Sequence, residues 1–140
     1  MLNARLRELI SQYADNVLDR DLARRVADLM ARSPEAEAYL AQLQRLRPIV
    51  AGTLDESSRA LATLWERLPS PYREILLLRE VKGLDYSEIS HFLRIPPATV
   101  RSRLSHARAK WLEHVLAAME HNDSLALCFA GGDGVAQLNT

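Results

Sequence analysis

Along the first fifty residues, apolar side chains recur three and four positions apart, which is the period of an amphipathic helix. The pattern predicts a first helix over residues 2–16. Asp19 is placed to cap a second helix, and Ser33 followed by Pro34 is typical of the start of a third. We therefore expect a module of three helices in residues 1–50.

The second half of the chain carries its own helix signals. The segment AGTLDESS, residues 51–58, is the best linker candidate, because a glycine precedes a cluster of small capping residues. Residues 59–120 are predicted to hold four helices, and residues 121–140 a flexible tail or one that lies on the bundle through LALCF. The first of these helices continues through Trp65, and the second begins at Ser70-Pro71 and ends at Gly83. A capping box from Asp85 to Glu88 marks the start of the third, and Pro97 the start of a long fourth helix that ends at about Glu120.

Composition supports the same fold class. Leu, Ala, Arg and Glu are frequent, 48% of the residues are apolar, and no run alternates like a strand. The sequence therefore predicts an all-α protein, a small three-helix module followed by a four-helix domain.

Several classes of function find no support in the sequence. The longest apolar run is too short to span a membrane, and the N-terminus lacks the features of a secretory signal, so we expect a cytoplasmic protein. Cys128 is the single cysteine, which excludes an internal disulfide and a cysteine-based zinc site. The histidines have no second ligand at metal spacing, and no catalytic constellation or phosphate-cradling loop is present. We predict no enzyme activity, no metal and no cofactor.

Charge is segregated along a chain whose formal net charge is zero. Residues 91–111 contain five bases and no acid, and a phosphate backbone feels such a local field within roughly 8–10 Å. The capping box, the tight turn at Pro96-Pro97 and the long basic helix together predict a helix-turn-helix. In that helix the spacing predicts a buried stripe of Val100, Leu104, Ala107 and Trp111. It predicts a polar face of Thr99, Ser102, Arg103, His106 and Lys110, flanked by Arg101, Ser105 and Arg108 within reach of a phosphate backbone.

Residues 68–111 resemble region 4 of bacterial sigma factors, particularly of the extracytoplasmic-function group. The motifs that carry the resemblance are LP, LLLRE, GLDYSEI and TVRSRL. The resemblance implies a four-helix domain that binds the −35 promoter element through the helix from Pro97. It also implies docking on the flap of the RNA polymerase β subunit.

The same resemblance assigns residues to the DNA contact. Position 106 is commonly arginine in the family and is histidine here, which removes one charge-assisted contact. The residues implied to face DNA are Thr99, Arg101, Ser102, Arg103, Ser105, His106 and Arg108, with Tyr86 and Ser87 near phosphates.

The first helices resemble a different family. YADNVLD is similar to the Tyr-x-Asp-x-x-Leu pattern of anti-sigma factor N-terminal domains. LMARSPEA stands where their zinc motif lies, with Leu29, Ser33 and Ala36 in place of His, Cys and Cys, which implies a zinc-free version. The alternative interpretation is a generic three-helix packing or dimerisation module. Residues 1–50 are too few for sigma region 2, so we expect that region to be lacking.

Two hypotheses follow. In the first, the chain is a transcription regulator that binds promoter-type DNA, gated by the N-terminal helices on its own region 4 or on that of a neighbouring copy. In the second, it is an interaction protein that does not bind DNA and occupies an anti-sigma factor, a sigma factor or RNA polymerase as a decoy.

Overall fold

The computed structural model describes residues 2–46 and 59–120, with the side chains of the second range from residue 62 onward. These residues form seven α-helices and contain no strand, which confirms the predicted all-α class. The proposed linker, the tail and Cys128 lie outside the described residues. The helices are α1 (Ala4–Ala14), α2 (Arg20–Arg32), α3 (Pro34–Gln44), α4 (Arg59–Arg67), α5 (Ser70–Leu76), α6 (Tyr86–Leu93) and α7 (Pro97–Met119).

The starts of the first three helices follow their capping residues. The side chains of Asn3, Asp19 and Ser33 each accept a hydrogen bond from a backbone N–H in the first turn of the helix that follows. The predictions for Asp19 and for Ser33 with Pro34 are confirmed. The first helix is shorter than predicted, because Asn3 caps it at one end and Asp15 ends it at the other.

The helix-turn-helix has the predicted boundaries. Asp85 and Glu88 form both bonds of a capping box at the start of α6, and Pro97 occupies the first turn of α7. Between the two helices, Arg94 adopts a left-handed conformation with φ of 57°. Such a residue reverses the chain direction after a helix, so α7 leaves α6 through a tight turn.

Helix α5 continues as a π-helical turn from Leu77 to Val81, which the sequence pattern did not predict. The turn is closed by the backbone N–H of Lys82, which donates to the carbonyl of Leu77 at 3.0 Å. A π turn contains one more residue than an α turn, so it shifts the faces of the residues that follow. Glu80 in this turn is buried, although charged side chains are rarely so.

A single hydrophobic core extends through both halves of the chain. It includes Ile10 and Leu43 from the N-terminal helices and Ile75 and Leu104 from the helices after the linker. Helix α7 lies at its centre and packs against α1, α4, α5 and α6. Because four helices pack against α7, their positions determine which face of α7 is exposed to solvent.

The two tryptophans pack against each other in this core. Trp111 is fully buried, as its place in the apolar stripe predicted, and Trp65 is partly buried. Their ring centroids lie 5.5 Å apart with the planes at 89°, an edge-to-face arrangement. The contact joins α4 to the middle of α7. No described helix is both long and apolar enough to cross a membrane.

The glycine that follows the π turn gives a test of the backbone geometry. Gly83 has a φ of +71°, and a Cβ built there meets no atom within 4 Å. Replacing it with alanine therefore adds backbone strain without a clash, and we expect Gly83→Ala to lower the free energy of unfolding by about 1–2 kcal/mol. Urea unfolding measures this loss. Asparagine tolerates the left-handed region better, so Gly83→Asn is the control, and a loss with Asn as large as that with Ala would contradict the explanation.

Candidate nucleic-acid interface

Helix α7 has the buried stripe that its sequence predicted. Val100, Leu104, Ala107 and Trp111 are all fully buried. They step along α7 by four, three and four residues, so they lie on one side of the helix. The opposite side of α7 is therefore directed to solvent.

The predicted polar face of α7 lies on that solvent side. His106 is exposed, and Thr99, Ser102, Arg103 and Lys110 are partly exposed. The Ser102 hydroxyl makes a long hydrogen bond of 3.5 Å to the carbonyl of Thr99. Contact of these side chains with DNA stays a prediction, but their accessibility is consistent with it.

One flank of α7 differs from the prediction. Ser105 and Arg108 are each only 3% exposed, whereas the sequence placed them at the surface within reach of a phosphate backbone. The predicted position is wrong because α1 packs against this flank of α7. Arg101, one turn nearer the start of the helix, is partly exposed. The accessible basic surface of α7 is therefore narrower than the sequence predicted.

The two residues at the start of α6 that were assigned to phosphate contacts differ in exposure. Ser87 is exposed, as a phosphate contact requires. Tyr86 is partly buried, and its hydroxyl donates a hydrogen bond of 2.5 Å to Oδ2 of Asp15. The tyrosine hydroxyl is thus engaged by the residue that ends α1.

Arg108 lies at the centre of a buried polar cluster between α1, the π turn, α6 and α7. Its guanidinium pairs with both carboxylate oxygens of Asp15, Nη1 to Oδ2 at 2.8 Å and Nη2 to Oδ1 at 2.9 Å. On its other edge, Nε and Nη2 contact Oε1 of Glu80 at 2.8 and 2.7 Å. Nη1 also donates to the hydroxyl of Ser11 at 2.7 Å. A bidentate pair of this kind fixes both position and orientation.

Asp15 receives donors from three directions. In addition to Arg108 and Tyr86, Arg79 donates through Nε to Oδ1 at 3.2 Å. Arg79 itself is anchored by a hydrogen bond of 2.8 Å from Nη1 to the carbonyl of Leu84, and its guanidinium carbon lies 5.9 Å from the centre of the Tyr86 ring. The cluster thus brings two carboxylates, Asp15 and Glu80, together with two guanidiniums.

The electrostatics of the cluster favour the ionised forms. Burial by itself raises the pKa of Asp15, but the hydrogen bond and charge of Arg108, aided by Tyr86 and Arg79, outweigh burial and hold that pKa below its ordinary value. Burial together with the charge of Asp15 raises the pKa of the Tyr86 hydroxyl, which stays a proton donor. Burial would lower the pKa of Arg108, but Asp15 and Glu80 raise it. The ion pair is therefore fully charged at neutral pH.

Sequence reasoning did not assign Asp15, Arg79 or Glu80 to any site. Asp15 was considered only as part of the YADNVLD motif, and Glu80 only as part of LLLRE. Neither acid stood out in the sequence, because Arg79 separates Glu80 from the apolar run before it and Glu80 lies in a π turn that the helical pattern does not predict. No group of three or more metal-ligating side chains occurs among the residues that the structure describes.

Comparison with known proteins identifies part of the chain. Residues 58–110 match the family model of sigma-70, region 4. The chain is also similar to the RNA polymerase sigma-H factor of Pseudomonas aeruginosa, with 39% identity over 54 residues, which are 39% of this chain and 28% of that relative. No solved structure matches the chain.

These findings confirm the resemblance to sigma region 4 and leave the resemblance to an anti-sigma domain as a prediction. The chain spans about a quarter of the length of the sigma-H factor, 28%. The family match does not reach the N-terminal helices, so their likeness to an anti-sigma domain stays a prediction. Residues 58–110, which include α6, the turn and the first part of α7, match region 4 of sigma-70 factors.

Proposed function

We propose that this chain is a transcription regulator that binds promoter-type DNA through α7, with its N-terminal helices docked on the same domain and controlling access to it. The observation that carries the proposal is the solvent-directed face of α7, where Thr99, Ser102, Arg103 and His106 lie opposite a fully buried stripe. The match of residues 58–110 to sigma-70 region 4 supports the same conclusion.

The chemistry of this face suits a duplex. Arg103 can pair bidentately with guanine in the major groove, and the hydroxyls of Thr99 and Ser102 can bond base edges or phosphates. Residues 91–111 contain no acid, so the part of α7 that carries this face has no carboxylate of its own to repel a phosphate. The exposed Ser87 at the start of α6 and the exposed Arg94 in the turn add polar groups beside the same groove. The first helix of a helix-turn-helix crosses the backbone, which places α6 at the phosphates.

The N-terminal helices supply the control in this proposal. Helix α1 covers the flank of α7 that holds Ser105 and Arg108, and its terminal Asp15 engages Tyr86. Of the nine residues assigned to DNA, Ser105 and Arg108 are buried in the described arrangement and Tyr86 is partly buried. An anti-sigma-like role for this module, acting in cis, is consistent with that coverage, and the relative's name extends the proposal to contact with RNA polymerase.

A second candidate function is protein binding without DNA. Phe92, on α6, is 66% exposed and Val81 is 38% exposed, so both present apolar surface that a partner protein would cover. In this alternative the region 4 fold is a decoy for an anti-sigma factor, a sigma factor or the polymerase. The two functions differ in whether the chain binds DNA through the basic face of α7.

The arginines of the accessible face test the DNA proposal. We expect the full chain to bind a duplex carrying a −35-type element at low salt, and Arg101→Ala with Arg103→Ala to weaken binding by at least about 10-fold. The slope of log K against log salt should become shallower by about 0.9 for each phosphate that the variant no longer neutralises. Fluorescence anisotropy over a range of salt concentrations measures both.

The matched control removes two arginines elsewhere. Arg24 and Arg25 are exposed on α2, so Arg24→Ala with Arg25→Ala changes the net charge equally. Its affinity should stay close to that of the unchanged chain. No binding by the unchanged chain, or equal effects of the two double variants, would favour the protein-binding function.

His106 gives a test in the opposite direction. A neutral imidazole at this exposed position makes no charge-assisted contact, so His106→Arg should tighten DNA binding by about 3- to 10-fold and steepen the salt slope by about 0.9. His106→Gln, which leaves the charge unchanged, should bind as the unchanged chain does. A decrease in affinity with arginine would mean that position 106 does not face the duplex.

A further inference from the structure

An open groove lies between α4 and the last turns of α7, with a volume of about 390 Å³. Its walls are mostly apolar and include one guanidinium and one imidazole. The lining residues are Leu64, Arg67, His114, Ala117 and Ala118. We call this surface the α4–α7 groove. None of its residues is among those assigned to DNA, so the proposed function leaves the groove without a role.

Two polar groups of the groove lack a partner among the described residues. Nδ1 of His114 is buried and makes no hydrogen bond there. Buried polar atoms are nearly always bonded, so such an atom marks a place where a further group is needed. Arg67 is exposed and forms no ion pair with another described residue. The groove thus offers an apolar surface, an unsatisfied imidazole and an available cation to a covering group.

The segment of chain that follows α7 can reach this groove. Helix α7 ends at Met119, and LALCF occupies residues 125–129. An extended chain spans at most about 3.3–3.6 Å per residue, so the connection from Met119 to Leu125 can cover roughly 20 Å. His114, the groove residue of α7 that is farthest from Met119, lies only about 7.5 Å away along the helix. A reversal of the chain after α7 therefore brings LALCF onto the groove.

The composition of this segment is complementary to the groove. LALCF is a run of apolar residues, and the preceding Asn122, Asp123 and Ser124 are residue types that favour turns. Asp123 is the single acid in residues 121–132, which contain no lysine or arginine. Its charge is therefore opposite to that of Arg67. A covering segment also brings backbone N–H and C=O groups that can bond the imidazole.

We propose that LALCF covers the α4–α7 groove of its own chain, with Asp123 beside Arg67. A short tether gives an effective concentration on the order of millimolar, so the segment competes well with a separate molecule even if each contact is weak. A partner protein that uses this groove must displace LALCF, which makes the segment an internal competitor. The inference does not rest on DNA binding, because the polar face of α7 lies nearer the other end of the helix.

A paramagnetic label tests the proposal in the full chain. Cys128 is the single cysteine and lies within LALCF, so a nitroxide on its thiol marks the position of this segment. The end of α7 is close to the label in any arrangement, so the amide NMR signals of α4 decide the test. We expect the signals of Leu64 and Arg67 to be lost with the oxidised label and to return on its reduction. Retention of these signals, or a loss centred on Phe92 instead, would overturn the proposal.

A mixed sample shows whether the contact is made within one chain. Isotope-labelled chain without the nitroxide is combined with nitroxide-labelled chain at natural isotope abundance. The signals of Leu64 and Arg67 should then be retained, because each groove is covered by its own segment. Their loss in the mixture would assign the groove to a second copy and contradict the proposed contact.

Substitutions in the segment measure how much it stabilises α4. Leu127→Asp places a charge within LALCF, and amide hydrogen exchange in α4 should accelerate about 10-fold, the factor expected when one leucine loses its burial. Leu138→Asp makes the same change outside LALCF and should leave exchange in α4 unchanged. Equal exchange in these two variants would count against the cover.

A substitution in the groove completes the test. Ala117 is exposed, and Ala117→Asp should accelerate exchange in α4 to a similar extent. Combined with Leu127→Asp it should add little, because both changes remove the same contact. Ala38→Asp is the matched control, since Ala38 is an exposed alanine in the middle of α3. If the effects of Ala117→Asp and Leu127→Asp multiply, or if Ala38→Asp acts as Ala117→Asp does, the proposal is wrong.

Discussion

The bidentate pair between Asp15 and Arg108 is the interaction on which the arrangement of the two halves of this chain depends. It joins the end of α1 to the middle of α7 in a site where both side chains are at most 5% exposed. Removing one partner of a buried pair costs roughly 3–5 kcal/mol, because the other charge is left without compensation. Apolar packing can be satisfied in several registers, whereas a bidentate pair accepts only one. The pair therefore selects how α1 sits on α7.

That choice has a direct consequence for the surface of α7 that we propose to face DNA. With α1 on one flank, Ser105 and Arg108 are interior, and the polar face centred on His106 stays open. The same helix thus serves two purposes along different sides, a core and docking surface on one and a polar surface on the other. The π turn contributes by carrying Glu80, which neutralises Arg108 from the region 4 side.

Much of the local structure could be predicted from the sequence because its causes are local. Asp19, Ser33 and Asp85 cap their helices through bonds to residues three positions away, and proline sets the first turn of α7. The buried stripe from Val100 to Trp111 followed from the helical period alone. The π turn was not predicted, because such turns are rare and the residues from Leu77 to Val81 follow the same apolar pattern as an α-helix.

The sequence by itself determined the helices, the helix-turn-helix and an acid-free basic segment, since these depend on spacing, capping and composition over a few residues. The tertiary structure alone decided which of the arginines in that segment remain accessible. Arg103 and Arg108 are the same residue type on the same helix, yet the first is partly exposed and the second is enclosed. The physical reason is a carboxylate 93 positions earlier in the chain, a separation at which no periodicity connects the two residues.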